Sequence, residues 1–362
     1  MTRKEMKMGK TINLAEKYSD KVQERFYMDS MTQSSFSKDL DMEFTGVKTV
    51  KVTEVDVAPM NDYNRSGMSR YGTPNELTDV VQEFVMTQDK SFTFTIDKGN
   101  DKEQLGIKNA GKALRRQMRE VVTPMIDRYR FLQWASHAGL RKGISAPTKS
   151  TIAELIMDGT AAMDDKFVPQ EGRTLYIRND LYKVLKLCDE YIKIDSLGEK
   201  ALVKGKVGEF DNMTVKKVPT SLMPAGVYFM IIYKGAAISP MKLNEYKIHS
   251  DPPGVSGNLV EGRVIYDAFV KATKCNGIYV ACEASKAVAA PTISISGGTV
   301  TLASTTSGAT IKYTLDGSDP RFSDTALTYD SGSKPTAQTG DVVKAAAFLA
   351  GTYGSDLAES VA

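Results

Sequence analysis

Residues 227–280 read VYFMIIYKGAAISPMKLNEYKIHSDPPGVSGNLVEGRVIYDAFVKATKCNGIYV and carry the most informative pattern of the chain. The apolar run at residues 227–233 predicts a hydrophobic strand. A Lys-Gly-Ala-Ala turn and a Pro/Gly-rich crossing follow it, and residues 259–280 return as further strands. Strands connected in this order, together with helices predicted elsewhere in the chain, indicate a fold that contains both helices and sheets.

The strongest helical pattern lies in residues 103–137, where apolar side chains recur three and four positions apart. Pro124 interrupts the pattern, so the helix is expected to kink or restart there. Basic residues gather on another side, and they form either a solvated face or a stripe that faces packaged nucleic acid. These basic residues are Lys108, Lys112, Arg115, Arg116 and Arg119.

Two β-rich segments lie upstream of this helix. Residues 47–57 are rich in Val and Thr, and residues 91–97 (SFTFTID) alternate between apolar and polar side chains. We interpret them as a β-arm around a long polar loop at residues 59–74. Because a two-stranded ribbon is barely stable alone in water, the arm is expected to lie on an adjacent subunit. The contact candidates in the loop are Tyr63, Arg65, Arg70 and Tyr71.

Over residues 47–280, the order and spacing of several segments resemble the major capsid proteins of tailed phages of the Hong Kong 97 type. The segments TQDKSFTFTIDKGND (residues 87–101) and VVTPMIDRYRFLQWA (residues 121–135) look like the passage from the arm to the spine helix in that family. The resemblance implies an α+β fold with peripheral and axial domains. It divides the chain into an N-terminal arm (1–46), an extended β-arm with the start of the peripheral domain (47–100), a spine helix (101–148), an axial domain (149–250) and return strands of the peripheral domain (251–284).

The same resemblance implies a structural protein without cofactors. Copies of the chain would assemble as pentamers and hexamers into an icosahedral shell around double-stranded DNA. A separate scaffolding protein and a portal are the implied partners. The shell would be assembled in the cytoplasm of the bacterial host and become part of the virion.

The composition changes after a small-residue linker at residues 285–291, and residues 292–362 read as short strands separated by turns. The segment ATIKYTLDGSDP (residues 309–320) resembles the immunoglobulin-like domain of the chitobiase C-terminal type. Asp316, Gly317 and Asp319 form its expected turn. The domain is expected to be an outward surface decoration with its own core, so its deletion should leave assembly intact. Weak glycan binding is a second expectation, with aromatic candidates Phe322, Tyr329 and Tyr353.

The net charge of the chain and its lack of known catalytic and metal-binding motifs restrict the classes of function that the sequence supports. The net charge of the chain is +3, with −3 in residues 291–362 and +6 in the remainder. Three cysteines without close pairing fit a reducing compartment. The two histidines, His137 and His249, have no metal-ligand spacing, and no nucleophile or phosphate-loop motif is present. The alternatives to a shell protein are a glycoside-binding or glycoside-active protein, suggested by the C-terminal module only, and a free-standing adhesion module.

Overall fold

The computed structural model describes residues 30–36, 43–45, 49–55, 60–66, 68, 70–72, 76, 79–97, 110–188, 209–250, 252–254 and 256–362. The helices are α1 (Ala110–Gln117), a π-helical turn (Met118–Val122), α2 (Thr123–His137), α3 (Ile152–Asp164) and α4 (Asn179–Lys186), with 3₁₀ turns at Gln33–Ser35, Ala272–Gly277 and Ala284–Lys286. The strands are β1 (Glu43–Thr45), β2 (Thr49–Val55), β3 (Asp79–Val85), β4 (Gln88–Asp97), β5 (Leu140–Ile144), β6 (Arg173–Arg178), β7 (Glu209–Phe210), β8 (Met213–Val218), β9 (Val227–Tyr233), β10 (Ala237–Ile238), β11 (Met241–Ser250), β12 (Gly257–Tyr266), β13 (Phe269–Val270), β14 (Ile278–Glu283), β15 (Thr292–Ser296), β16 (Thr299–Ala303), β17 (Thr310–Thr314), β18 (Leu327–Thr328), β19 (Val342–Phe348) and β20 (Ala358–Val361).

The chain divides into two compact units, and the described part of the first comes from Thr87–Met125 and Met241–Tyr266. Its core element is an antiparallel sheet in the order β11-β12-β4. In β4, Phe92, Phe94 and Ile96 are less exposed than the residues between them, so the predicted alternation is confirmed. Asp89 of β4 pairs with Arg263 of β12 through two hydrogen bonds of 2.8 and 2.6 Å.

The second unit contains Ser30–Met86, Ile126–Pro240 and Asp267–Ala362, and it is built on a six-stranded sheet in the order β5-β14-β9-β6-β8-β7. The strand that the sequence marks most clearly, β9, pairs with β14 on one side and β6 on the other. Six of its seven residues are buried. A strand with a continuous apolar run is expected where both faces of a sheet are covered.

Both faces of this sheet are indeed covered by helices. On β9, Met230 and Ile232 belong to the cluster that contains Phe131 and Trp134 of α2. Phe229 and its neighbour Ile231 belong to the opposite cluster, which contains residues of α3 and α4. The alternation of the strand therefore divides one apolar run between two cores.

Residues 110–137 are helical throughout, with the π turn directly before Pro124. The amide of Thr123 donates to the carbonyl of Met118, and the Thr123 hydroxyl donates to the same oxygen at 3.1 Å. This wider turn accommodates the missing donor of proline, as π turns commonly do where a helix is interrupted. The predicted restart of the helix near Pro124 matches the start of α2 at Thr123.

The β-arm differs from the sequence prediction in its strand pairing. The strand at 49–55 pairs with β3 in the sheet β1-β2-β3, whereas residues 91–97 belong to β4 and pair with β12. The prediction overlooked residues 79–85, whose sequence DVVQEFV contains two charges and two short apolar pairs without a regular alternation. The arm is therefore closed by a nearer strand than predicted.

The C-terminal residues form two facing groups of strands, β15-β16 and β18-β17-β19-β20. Their core contains Val300, Leu302, Ile311, Tyr313 and Val343. The short strands that the sequence predicts for residues 292–362 are found as β15 to β20. The predicted α+β fold with a C-terminal β domain is confirmed.

Candidate interaction surfaces

The loop between β2 and β3 exposes large side chains. Tyr63 is 52% exposed and Tyr71 is 84% exposed, and their rings meet edge to face at 5.1 Å. The amide of Asn64 donates to the carbonyl of Arg70 at 3.0 Å and so closes the loop behind the two rings. The structure thus brings the predicted tyrosines together, with Arg65 and Arg70 also exposed. Paired aromatic rings without a covering layer are typical of contact surfaces.

The predicted basic stripe is described only in part. Lys108 lies outside the described residues, and Lys112 lies in α1 but its side chain is not among those described. Arg115 and Arg119 are exposed, while Arg116 donates to Glu120 at 2.8 Å one helical turn later. The charge of Arg116 is therefore neutralised by a local ion pair.

The turn at residues 316–319 is built by its own carboxylates. Asp316 accepts hydrogen bonds from the amide and the hydroxyl of Ser318 at 3.0 and 2.6 Å, and these bonds hold the pKa of Asp316 below its usual value. Gly317 has a φ of +74°, which a residue without Cβ adopts freely. Asp319 is hydrogen-bonded to Arg321. Both carboxylates therefore form the turn, and within the described residues no group of three acidic, His or Cys side chains could hold a metal ion.

Of the three aromatic candidates for glycan binding, one is buried in a core and the other two are partly buried against cores. Tyr353 is 8% exposed and lies in the cluster of α2, and Phe322 packs against the same cluster. Tyr329 packs in the C-terminal core, edge to face with Tyr313. A sugar-stacking platform needs an exposed ring face, so the candidates that the sequence suggested do not supply one.

Arg141 joins the C-terminal domain to the six-stranded sheet, a role that sequence reasoning missed. It lies on β5, the edge strand, and its backbone amide donates to Asp356 at 2.8 Å. Its guanidinium donates to the carbonyls of Ser355 at 3.1 Å and Ser136 at 2.7 Å. Burial lowers the pKa of Arg141 to about 10. One side chain therefore caps the end of α2, covers the sheet edge and holds the C-terminal domain.

Two further contacts fix the same docking interface. Arg321 donates to the carbonyl of Gly139 at 3.0 Å, and the hydroxyl of Tyr353 donates to the carbonyl of Ala225 at 2.8 Å. The predicted linker also packs, because Val288 is 6% exposed and Lys286 donates to the carbonyl of Gly351 at 2.9 Å. The expectation of two self-contained cores is thereby corrected: the C-terminal domain contributes Tyr353 to the core around α2.

Deletion of residues 291–362 is consequently expected to lower the soluble yield several-fold. It would uncover the apolar surface beneath Tyr353 and free the edge of β5, and an uncovered strand edge promotes aggregation. Size-exclusion chromatography after expression measures the effect, with the exposed substitution Leu327→Ala as the control. A deletion variant that stays soluble and unfolds at the same temperature as the full chain would contradict this expectation.

Residues 30–36, here named the N-terminal strap, bind to α2 and the sheet. Asp127 of α2 accepts hydrogen bonds from Ser30 Oγ at 2.8 Å, the Met31 amide at 2.8 Å and Thr32 Oγ1 at 2.6 Å. At the other end of the strap, Phe36 packs on Trp134 with the ring centroids 5.1 Å apart. The predicted arm at residues 1–46 thus includes a part that docks on its own subunit, while residues 1–29 lie outside the described residues.

Arg130 supplies the positive charge beneath the strap. It is 6% exposed and donates to Thr32 Oγ1 at 3.0 Å and Ser239 Oγ at 2.8 Å, and it lies 3.5 Å from Asp127. Burial lowers the pKa of Arg130, and the carboxylate of Asp127 opposes that effect. The buried arginine and aspartate therefore depend on each other and on the strap hydroxyls.

Two of the cysteine thiols lie in surroundings that disfavour the thiolate. All three cysteines are buried and none forms a disulfide, and burial raises the pKa of Cys282 to about 11 and also that of Cys275. Thiols with raised pKa values are poor nucleophiles at neutral pH. Among the described residues, the helices are too short or too polar to cross a bilayer.

Comparison with known proteins identifies both parts of the fold. Residues 290–358 match the family model of the Chitobiase/beta-hexosaminidase C-terminal domain. A structure from Mycobacterium phage Che8 is 17% identical, covers 74% of this chain and 96% of its own, and has a TM-score of 0.57. A capsid structure of the Cyanophage P-SCSP1u is 13% identical and covers 74% of this chain and 92% of its own, with a TM-score of 0.58.

The mature capsid of bacteriophage PhiM1 gives a similar result, with 9% identity, coverage of 74% of this chain and 91% of that chain, and a TM-score of 0.54. No curated protein matches the chain by sequence. At these identities the likeness concerns the fold. The chain has the fold of tailed-phage capsid structures over most of its length, with a C-terminal domain of the chitobiase type.

Proposed function

We propose that this chain is the major capsid protein of a tailed bacteriophage. The observation that carries the proposal is the shared fold, which covers 91–96% of three phage chains and about three quarters of this one. In this role the chain assembles as pentamers and hexamers into an icosahedral shell around double-stranded DNA. Its function then lies in surfaces that contact other copies, and it needs no catalytic site.

The charge distribution supports an orientation in the shell. The C-terminal residues 291–362 carry −3 and the rest of the chain carries +6. An outward C-terminal domain keeps the acidic part away from DNA, and the exposed Arg115 and Arg119 are the described side chains that we assign to the lumen. The glycoside-binding alternative has weaker support, because Tyr353 is buried in a core and Phe322 and Tyr329 are partly buried against cores.

The proposal is tested by electron microscopy of the purified chain, expressed alone and together with a candidate scaffolding protein. Closed shells, or rings of five and six subunits, are the expected result. The shells would be formed in the bacterial cytoplasm and, with a portal, filled with DNA. A monomer that stays monomeric at high concentration with the scaffold present would overturn the proposal.

The double substitution Tyr63→Ala and Tyr71→Ala is expected to raise the concentration needed for assembly by about tenfold or more, because exposed tyrosines commonly anchor interfaces. Deletion of residues 60–74 should block shells altogether. Both variants should unfold at the same temperature as the parent, since the rings lie outside the cores. Light scattering measures the assembly midpoint, with Leu327→Ala as the exposed control; unchanged assembly of the double variant would refute the contact.

A further inference from the structure

Phe167 has a backbone conformation that its residue type rarely adopts. It follows α3 and has a φ of +57°. The amide of Val168 donates to the carbonyl of Met163 at 3.1 Å, and the amide of Phe167 donates to the carbonyl of Asp164 at 2.9 Å. This pair of hydrogen bonds closes a helix end whose left-handed position is usually occupied by glycine. A bulky residue at that position is strained.

The side chain of Phe167 contributes little to the packing of its own subunit. Phe167 is 95% exposed, and the apolar contact that accompanies such a helix end is made by Val168, which packs against the same core as Met163. The other non-glycine residues with positive φ in the described part of the chain are Asp211 and Asn212, which tolerate this conformation. A strained, uncovered aromatic residue points to a role outside the subunit.

The charged residues that flank Phe167 in the sequence have a net negative charge. Asp165 and Glu171 are exposed on either side of it, and Lys166, also exposed, is its direct neighbour. Met157, 54% exposed, lies on the outer face of α3. We name Met157, Asp165, Phe167 and Glu171 the knob surface. It combines exposed apolar side chains with two carboxylates against the one ammonium group of Lys166, so it fits a partner surface that is apolar and positive.

The same unit carries a surface with the opposite charge on α4. Lys186 and Lys217 both lie over the ring of Tyr182, at 5.9 and 5.0 Å from its centroid. Lys183 is exposed one turn before Lys186, and Leu187 is 48% exposed beside them. We name Lys183, Lys186, Leu187 and Lys217 the basic face. Its charge and its exposed leucine complement the knob surface.

The knob surface and the basic face belong to two helical regions that cover the same face of the six-stranded sheet. Both helices cover the same face of the six-stranded sheet, but α3 lies over β14 and α4 lies over β6 and β8. The sheet order β5-β14-β9-β6-β8-β7 therefore puts α3 toward one edge and α4 toward the other. Two complementary patches at different places on one subunit generate a head-to-tail contact, and such contacts close into a ring where the rotation between copies closes.

We infer that the knob surface docks on the basic face of a second copy of this chain. The inference rests on the proposed function and names the residues of one ring contact within it. Phe167 inserts beside Leu187, and the carboxylates of the knob surface meet the lysines of α4. The strain at Phe167 is then retained because the ring is buried only in the assembly.

The decisive variant is Phe167→Gly, since glycine relaxes the backbone while it removes the ring. We expect an unchanged or higher thermal midpoint for the isolated subunit, together with an assembly midpoint raised by about tenfold or more in light scattering. Leu327→Ala is the exposed control. Assembly of Phe167→Gly at the parental concentration overturns the inference, and so does a loss of subunit stability equal to the loss of assembly.

A charge-exchange experiment tests whether the knob surface binds the basic face of a second copy. Asp165→Lys and Lys183→Glu should each weaken assembly, and the double variant should recover most of the parental midpoint. A double variant that is no better than its singles overturns the assignment to the basic face. If the parental chain forms no oligomer with its scaffold, the proposed function fails and the inference fails with it, whereas normal parental shells with a neutral Phe167→Gly refute the inference alone.

Discussion

Replacement of Arg141 by methionine is expected to lower the free energy of unfolding by about 3–5 kcal/mol, the usual effect of removing one member of a buried charged network. Methionine retains much of the volume but none of the donors. The carbonyls of Ser136 and Ser355 would lose the guanidinium, and Asp356 would keep only the backbone amide of residue 141. We expect the C-terminal domain to detach before the rest unfolds, because the side chain joins the two parts.

Urea unfolding followed by circular dichroism measures this change. Arg141→Lys is the graded variant, since lysine keeps the charge but lacks the planar fork of donors. Arg128→Met is the matched control, because Arg128 is exposed on α2. Equal urea midpoints for Arg141→Met and Arg128→Met would mean that the docking interface does not depend on this side chain.

Asp127→Ala should have an effect of similar size, about 3–5 kcal/mol, because it leaves the buried charge of Arg130 without its counter-ion. The N-terminal strap would lose three hydrogen bonds at once. Release of the strap would uncover Trp134, which contacts Phe36 and is the single tryptophan of the chain. A red shift of tryptophan emission is therefore the expected signal, together with faster proteolysis before residue 37.

Asp158→Asn provides the comparison for Asp127→Ala. It removes an ion pair between Asp158 and Lys142 whose side chains are both more than 40% exposed, and such pairs contribute about 0–1 kcal/mol. An Asp127→Ala protein with parental emission and parental protease resistance would show that other contacts hold the strap.

Local patterns in the sequence predicted the elements of this fold well. The apolar run of β9, the helix that restarts at Thr123 and the Asp316-Gly317 turn are each encoded within a few residues, so periodicity and turn chemistry suffice to find them. The tyrosines of the exposed loop could also be predicted as contact residues, because aromatic residues in a polar loop are unusual. The resemblance of segment order then placed these elements in a fold.

Contacts between residues far apart in the sequence could not be predicted from local patterns. Arg141 and Asp356 are 215 positions apart, and Asp127 contacts a strap about 95 positions earlier. No local pattern distinguishes these buried charges from solvated ones. The partner of β2 was misassigned for a related reason, because β4 has the cleaner alternation while β3 has the shorter connection. The conformation of Phe167 is likewise invisible in sequence, where phenylalanine suggests a core residue.

The docked position of the C-terminal domain has a consequence for the display of foreign peptides on the proposed shell. A foreign peptide fused in place of the domain would remove the contacts of Asp356 and Tyr353 and leave the edge of β5 open. The segment at residues 330–334 is exposed throughout and lies between β18 and β19. Inserted epitopes belong in this exposed turn, where the domain keeps its attachment and the inserted peptide is exposed to solvent.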